Sequence, residues 1–156
     1  MALDPTILRD IIMDHYEYPR NKELTEKDGY MSRHMASDSC IDDITVQSKI
    51  ENGIIEDVRF DGVACTISTA STSIMTELVK DKSIEEAKEI IDNYFKMIDQ
   101  QEYDEDLLEE AVAFSGVGKQ ANRINCATIG WKALRDMINE SEEKDHERFK
   151  EPGFEE

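Results

Sequence analysis

The chain has 156 residues, enough for one domain with its own hydrophobic core. Acidic residues number 36 against 18 basic ones, a formal net charge of -18 that opposes binding to nucleic-acid phosphates and to anionic membrane surfaces. Hydrophobic residues make up 39% of the chain, which argues against global disorder, and no apolar run approaches the ~20 residues that span a bilayer.

The opening residues Met1-Ala2-Leu3-Asp4-Pro5 lack the charged and apolar regions of a secretory leader, so a cytoplasmic location is expected. In that reducing compartment, three widely separated cysteines do not form a disulfide framework. Buried cysteine, metal ligand and reactive thiol remain open readings.

Asp4-Pro5 reads as an N-cap followed by proline at the first helical position. Ile7, Leu8, Ile11, Ile12, His15 and Tyr16 then form an apolar stripe, predicting a helix over 5–17 that Pro19 ends. Residues 20–38 are polar and irregular, with a strand expected around Gly29 to His34. Ile44, Val46, Ser48 and Ile50 alternate with polar positions, and Asn52-Gly53 is a turn pair that tolerates positive φ. The chain returns as a strand from Ile55 to Phe60, and a further strand is expected near 63–66.

After Cys65 the pattern changes to helical. Thr66 to Lys80 is rich in Ser, Thr and Ala, with Ile67, Ala70, Ile74, Met75 and Leu78 at helical spacing. Such a helix packs closely on a neighbour through small side chains. Ser83-Ile84-Glu85-Glu86 is a capping box, and the apolar stripe behind it predicts a helix over 84–99. A short helix is expected at 104–114, broken by Gly116 and Gly118, and a last one from Cys126 to Asn139. Residues 140–156 are charged and aperiodic, so a mobile acidic tail is expected beyond a single domain at 1–139. Strands first and helices afterwards give an α+β fold: a small antiparallel three-stranded sheet with helices packed on one face.

Cys40-Ile41-Asp42 leads into the first hairpin strand, Cys65 stands where sheet hands over to helix, and Cys126 opens the last predicted helix. Helix N-termini favour thiolate over thiol through their free N–H groups and dipole. Three Cys and one Asp match the four-ligand habit of zinc, and thiolate sets also hold Fe–S clusters. The ligands would come from three distant segments, so spacing leaves unrelated buried cysteines equally open. His15, on an apolar helix face, reads as a satisfied structural histidine; His34 is open; His146 reads as solvated. Arg123, three residues before Cys126, is either a surface charge or a cation that orients a thiolate or a partner. Gly116-Val117-Gly118-Lys119 lacks the spacing and the Ser/Thr of a phosphate loop.

Three segments carry a resemblance to a known family. They are Ile12-Met13-Asp14-His15-Tyr16 with Pro19-Arg20-Asn21, Asp61 to Ser71 around Cys65, and Arg123-Ile124-Asn125-Cys126-Ala127-Thr128 followed by Trp131-Lys132-Ala133-Leu134. Together they resemble the U-type iron–sulfur cluster assembly proteins, the IscU/SufU/NifU N-terminal family, over roughly residues 8 to 138. Asn125 stands where the IscU branch has histidine, and the stretch between Cys65 and Cys126 is longer by about one helix. Both features are similar to the SufU branch. The family usually reads Cys-Gly-Asp where this chain has Cys40-Ile41-Asp42, and the neighbouring Asp43 is a second carboxylate in reach of a ligand role.

The resemblance implies that Cys40, Asp42, Cys65 and Cys126 are the metal ligands. It implies zinc as the metal, or alternatively iron or a [2Fe-2S] cluster. The implied function is a sulfurtransferase-like acceptor: a cysteine desulfurase of the SufS-like kind passes persulfide sulfur to Cys40, with Arg123 assisting, and downstream iron–sulfur assembly proteins receive it. A scaffold for transient [2Fe-2S] clusters is the alternative. An adaptor with purely structural zinc is a third reading from another class. Neither nucleic acid nor membrane is an expected partner.

Overall fold

A computed structural model describes residues 4–36 and 41–148, with side chains up to Lys144. Helix α1 spans Pro5–Glu17, capped by the Asp4 carboxylate, which accepts from the Thr6 N–H at 2.8 Å. Strands β1 (Met31–Ala36), β2 (Asp43–Glu51) and β3 (Ile54–Val63) form one antiparallel sheet in the order β1-β2-β3. Helices α2 (Thr66–Val79), α3 (Ile84–Ile98), the single turn α4 (Glu105–Leu108) and α5 (Ala121–Arg148) follow. Two 3-10 segments, Glu109–Phe114 and Val117–Lys119, stand between α4 and α5. The expected α+β class, three-stranded antiparallel sheet and helical second half are all present.

The hairpin forms for the reason the sequence suggests. Asn52 and Gly53 both take positive φ, and β2 pairs with β3 from Glu51↔Ile54 back to Asp43↔Val63. Alternate β2 residues Ile44, Val46 and Ser48 are buried, beside Val58 and Phe60 of β3. On the opposite side of β2, Gln47 holds the irregular segment: its amide accepts from Thr25 N–H and donates to Thr25 C=O. The core fills the space between the sheet, α2, α3 and α5, with Trp131, Tyr94, Phe60 and Phe114 fully enclosed. Ser83 and Glu86 make the capping box of α3 in both directions.

Four boundaries differ from expectation. Strand β1 starts at Met31 because Gly29 adopts a φ of 92° and turns the chain first. No strand forms at 63–66: β3 ends at Val63, and Cys65 becomes the N-cap of α2, its sulfur accepting from the Ser68 N–H. The 104–114 helix is one α turn followed by a tighter 3-10 stretch that still buries Leu108, Ala111, Val112 and Phe114.

The last helix is longer at both ends than 126–139. It begins at Ala121 and continues to Arg148, through residues expected to be aperiodic. No Gly or Pro interrupts residues 131–148, and Glu and Lys are good helix formers. Tertiary ties then fix the extension. Glu140 accepts from Arg33 on β1 at 3.4 Å, and Glu142 pairs with Lys88 on α3 at 2.7 Å. Residues 149–156 of the predicted tail lie outside the described residues.

Helices α2 and α5 meet at backbone distance. A Cβ placed on Gly130 would overlap the side chain of Thr72, so only glycine permits this crossing. Gly130→Ala is expected to destabilise the fold by ~1–3 kcal/mol, the usual cost of overpacking a close contact. Gly116, where a Cβ meets nothing within 4 Å, is the control: Gly116→Ala should stay within about 0.5 kcal/mol of the parent in urea unfolding.

Candidate metal centre

Strand β2 begins at Asp43, and the residue before it turns inward. Asp42 is 2% exposed, whereas its neighbour Ile41 is 65% exposed. A buried carboxylate requires donors, and both of its oxygens have them. Oδ1 accepts from the Cys65 N–H at 2.9 Å, and Oδ2 accepts from the Ser68 hydroxyl in a short bond. Both donors belong to the start of α2, where backbone N–H groups lack helical partners. Asp42 therefore ties the entry of β2 to the N-terminus of α2.

The end of the hairpin sets that approach. Gly62, at a φ of 129°, lies against Asp43 so closely that any Cβ would overlap the Asp43 carbonyl oxygen. The preceding Asp61 carboxylate accepts from the Gly62 N–H at 2.8 Å and from Lys22 Nζ at 2.6 Å. The Lys22 ammonium, seconded by that N–H, holds the Asp61 carboxyl below its usual range.

Cys126 comes to the same place from α5. Its position corrects one expectation: α5 begins five residues earlier, so Cys126 lies in the second turn and not at the helix N-terminus. The dipole argument thus applies to Cys65 alone. Cys126 is held instead by what packs behind it. Ser71 of α2 donates to the Ala127 carbonyl at 2.7 Å, and Tyr94 of α3 donates to the same oxygen at 2.6 Å. The Trp131 indole donates to Ser71 Oγ at 2.9 Å and stacks on Tyr94 with ring centroids 3.8 Å apart. Burial raises the Tyr94 phenol far above its ordinary value, so it stays a donor.

One donor atom each from Asp42, Cys65 and Cys126 lies within 4.8 Å of the others. Two ligands of one tetrahedral zinc, at ~2.0–2.3 Å from it, stand about 3.3–3.8 Å apart. The three donors, all within 4.8 Å of one another, would close to that range around an ion. Two thiols and a carboxylate suit zinc, and thiols also suit Fe–S clusters. The donor set therefore fits a metal.

Cys40, the fourth expected ligand, lies outside the described residues. The chain matches the family described as NifU-like N terminal domain over residues 7–147. It belongs to the NifU N-terminal family. It is 38% identical over 138 residues to the zinc-dependent sulfurtransferase SufU of Bacillus subtilis, covering 88% of this chain and 92% of that one. It is 36% identical to the iron–sulfur cluster assembly scaffold protein IscU of Streptococcus pyogenes, over 87% of this chain and 85% of that one. A NifU-like N-terminal protein from Brucella abortus shares the fold, with a TM-score of 0.76 over 86% of this chain and 93% of its own at 23% identity. The resemblance drawn from the three sequence segments is borne out.

Other candidates in this NifU-family chain fall outside the cluster. Asp43 is 62% exposed and accepts from His34 Nε2 at 2.6 Å, so neither serves the buried donor set. His15 is the satisfied structural histidine expected: Nδ1 meets Ser73 Oγ at 2.8 Å and Nε2 meets Glu110 at 3.0 Å. Arg123 is exposed in the first turn of α5. The Gly116–Lys119 stretch is a 3-10 connection, consistent with dismissing a phosphate loop.

The sequence reading missed Ser68, Ser71 and Gly62. Ser68 had a signal, because it stands three residues after the capping Cys65. Asp42→Ala should weaken zinc binding measurably, leaving the thiols to hold the metal, and destabilise the fold by ~1–3 kcal/mol, since it orphans the Cys65 N–H. Asp43→Ala, which removes only an exposed pair, should bind zinc as the parent does. Competitive chelator titration and urea unfolding check both.

Proposed function

We propose that this chain is a zinc-dependent acceptor of persulfide sulfur from a cysteine desulfurase, acting in iron–sulfur cluster assembly. The convergence of Asp42, Cys65 and Cys126 carries the reading. Family membership and the 38% identity to a zinc-dependent sulfurtransferase support it.

Cys40 is assigned as the fourth ligand and the sulfur acceptor; it stands two residues before Asp42 in the chain. Bound zinc keeps cysteine ligands deprotonated at neutral pH. The Cys40 thiolate attacks the outer sulfur of the persulfide on the desulfurase. A sulfur–sulfur bond forms on Cys40 as the one on the desulfurase breaks, and the desulfurase cysteine leaves as thiolate with the electron pair. No outside oxidant or reductant is needed. The buried positions of Asp42 and Cys126 keep the remaining donors in place while Cys40 reacts. Downstream iron–sulfur assembly proteins then take the sulfur.

Arg123 is assigned to docking or steering the partner. It lies three residues before Cys126 on α5 and is exposed, so its guanidinium is available to a partner's carboxylate. In a chain of net charge -18, an exposed cation about one helix turn before Cys126 gives an incoming protein a local orientation signal.

A scaffold for transient [2Fe-2S] clusters is the second reading, favoured by the 36% identity to an IscU scaffold protein. Anaerobic reconstitution separates the two: stoichiometric iron and sulfide held stably favour the scaffold, and zinc that resists displacement favours the acceptor.

With a cysteine desulfurase and cysteine as substrate, Cys40→Ala should leave the sulfur on the desulfurase, seen as persulfide by mass spectrometry. Full transfer by that variant would sink the acceptor assignment. Arg123→Ala should raise the apparent KM for the desulfurase by ~3–10-fold with a smaller change in kcat, as for a charge at the rim of an interface.

A further inference from the structure

We propose that Ser68 is a positioning residue that fixes the Asp42 carboxylate for metal ligation. The inference rests on the metal reading given above.

Ser68 is fully buried in the first turn of α2 and reaches two of the three clustered ligands at once. Its N–H donates to Cys65 Sγ at 3.5 Å, and its hydroxyl donates to Asp42 Oδ2. Its oxygen also accepts from Cys65 Sγ at 3.5 Å, so one hydroxyl has both a sulfur and a carboxylate as neighbours. The carboxylate is the stronger acceptor and takes the proton. The sulfur keeps the backbone N–H, which it accepts as the helix N-cap.

The consequence concerns rotation. Among the described residues the Cys65 N–H is the donor to Oδ1, and a carboxylate held through one oxygen pivots about that bond. The Ser68 hydroxyl holds the second oxygen and stops the pivot. The Asp42 oxygen that lies within 4.8 Å of both thiol sulfurs is thereby held in place. Ligating carboxylates depend on such outer partners for orientation, and losing one typically costs ~10–100-fold in metal affinity. Alanine at 68 leaves the backbone N–H on Cys65 Sγ intact but removes the hydroxyl from both Cys65 Sγ and Asp42 Oδ2, so the Asp42→Ala background is what separates the carboxylate contact from the sulfur contact.

A double-mutant cycle tests this through zinc affinity, measured by chelator competition on the full chain: parent, Ser68→Ala, Asp42→Ala and the double variant. The expected result is a ~10–100-fold loss for Ser68→Ala in the parent background and no further loss when Asp42 is already alanine. Cobalt(II) loading gives a second readout: the d–d spectrum of Ser68→Ala should move toward that of Asp42→Ala. Ser73→Ala is the folding control. It removes another buried α2 hydroxyl, one that faces His15 and the Arg20 N–H and not the cluster.

Parent-like affinity in Ser68→Ala overturns the inference. So does an equal loss in both backgrounds, or an equal loss in Ser73→Ala, because the effect would then come from a loosened helix. In those three outcomes the parent still binds zinc and the metal reading stands. A parent chain that binds no zinc overturns both.

Discussion

Gly130 lets the backbone of α5 rest on the side chain of Thr72 in α2, and the candidate site depends on that approach. The two helices carry Cys65 and Cys126, which are far apart in sequence. Their contacts run in the same order along both helices: Cys65 beside Cys126, Ser71 against Ala127, Thr72 against Gly130. A wider crossing would separate the sulfurs beyond the reach of one ion. The small side chains of α2 thus bring the thiols together as well as filling the core.

Close helix packing leaves little room for water, so buried polar groups at the crossing must satisfy one another. Three side chains do so in a chain, the Trp131 N–H donating to Ser71 and both Ser71 and the Tyr94 hydroxyl donating to the Ala127 carbonyl, while Thr72 Oγ1 against Gly130 has no partner among the described residues. This network links α2, α3 and α5 directly behind Cys126. On the other side, Asp42 links β2 to the same end of α2 through Cys65 and Ser68. Sheet and helices therefore converge on one helix terminus. Sulfur acceptance or cluster assembly both need ligands that stay registered while one of them reacts, and two independent anchors supply that.

Much of the fold was legible because its signals are local. Asn52-Gly53 fixes a hairpin within four residues, Ser83 and Glu86 cap a helix within four, and the α1 and α3 stripes recur every turn. The errors fall where a distant contact decides. The 63–66 strand fails because Cys65 caps a helix, and Gly62 must turn to clear Asp43. Residues 140–148 stay helical because Arg33 and Lys88 reach Glu140 and Glu142 from other elements. Charge without apolar period looks like a tail until its partners are in place.

The sequence by itself supplied the candidate donors: three cysteines and the Asp42-Asp43 pair, flanked by segments typical of one family. It also determined the helices and strands that carry them, since capping, turn residues and periodicity act over a few positions. The resemblance pointed to Asp42 with Asp43 in reach, and only the tertiary structure gave the physical reason that Asp42 is the carboxylate beside the thiols. Asp42 and Asp43 are neighbours of identical chemistry, and successive side chains at a strand entry point to opposite sides. Packing turned Asp42 toward α2, where two donors offset its burial, and left Asp43 in solvent with His34. Tertiary structure likewise moved Cys126 off the helix terminus, so its place beside Cys65 comes from the helix crossing and the hydrogen bonds behind it.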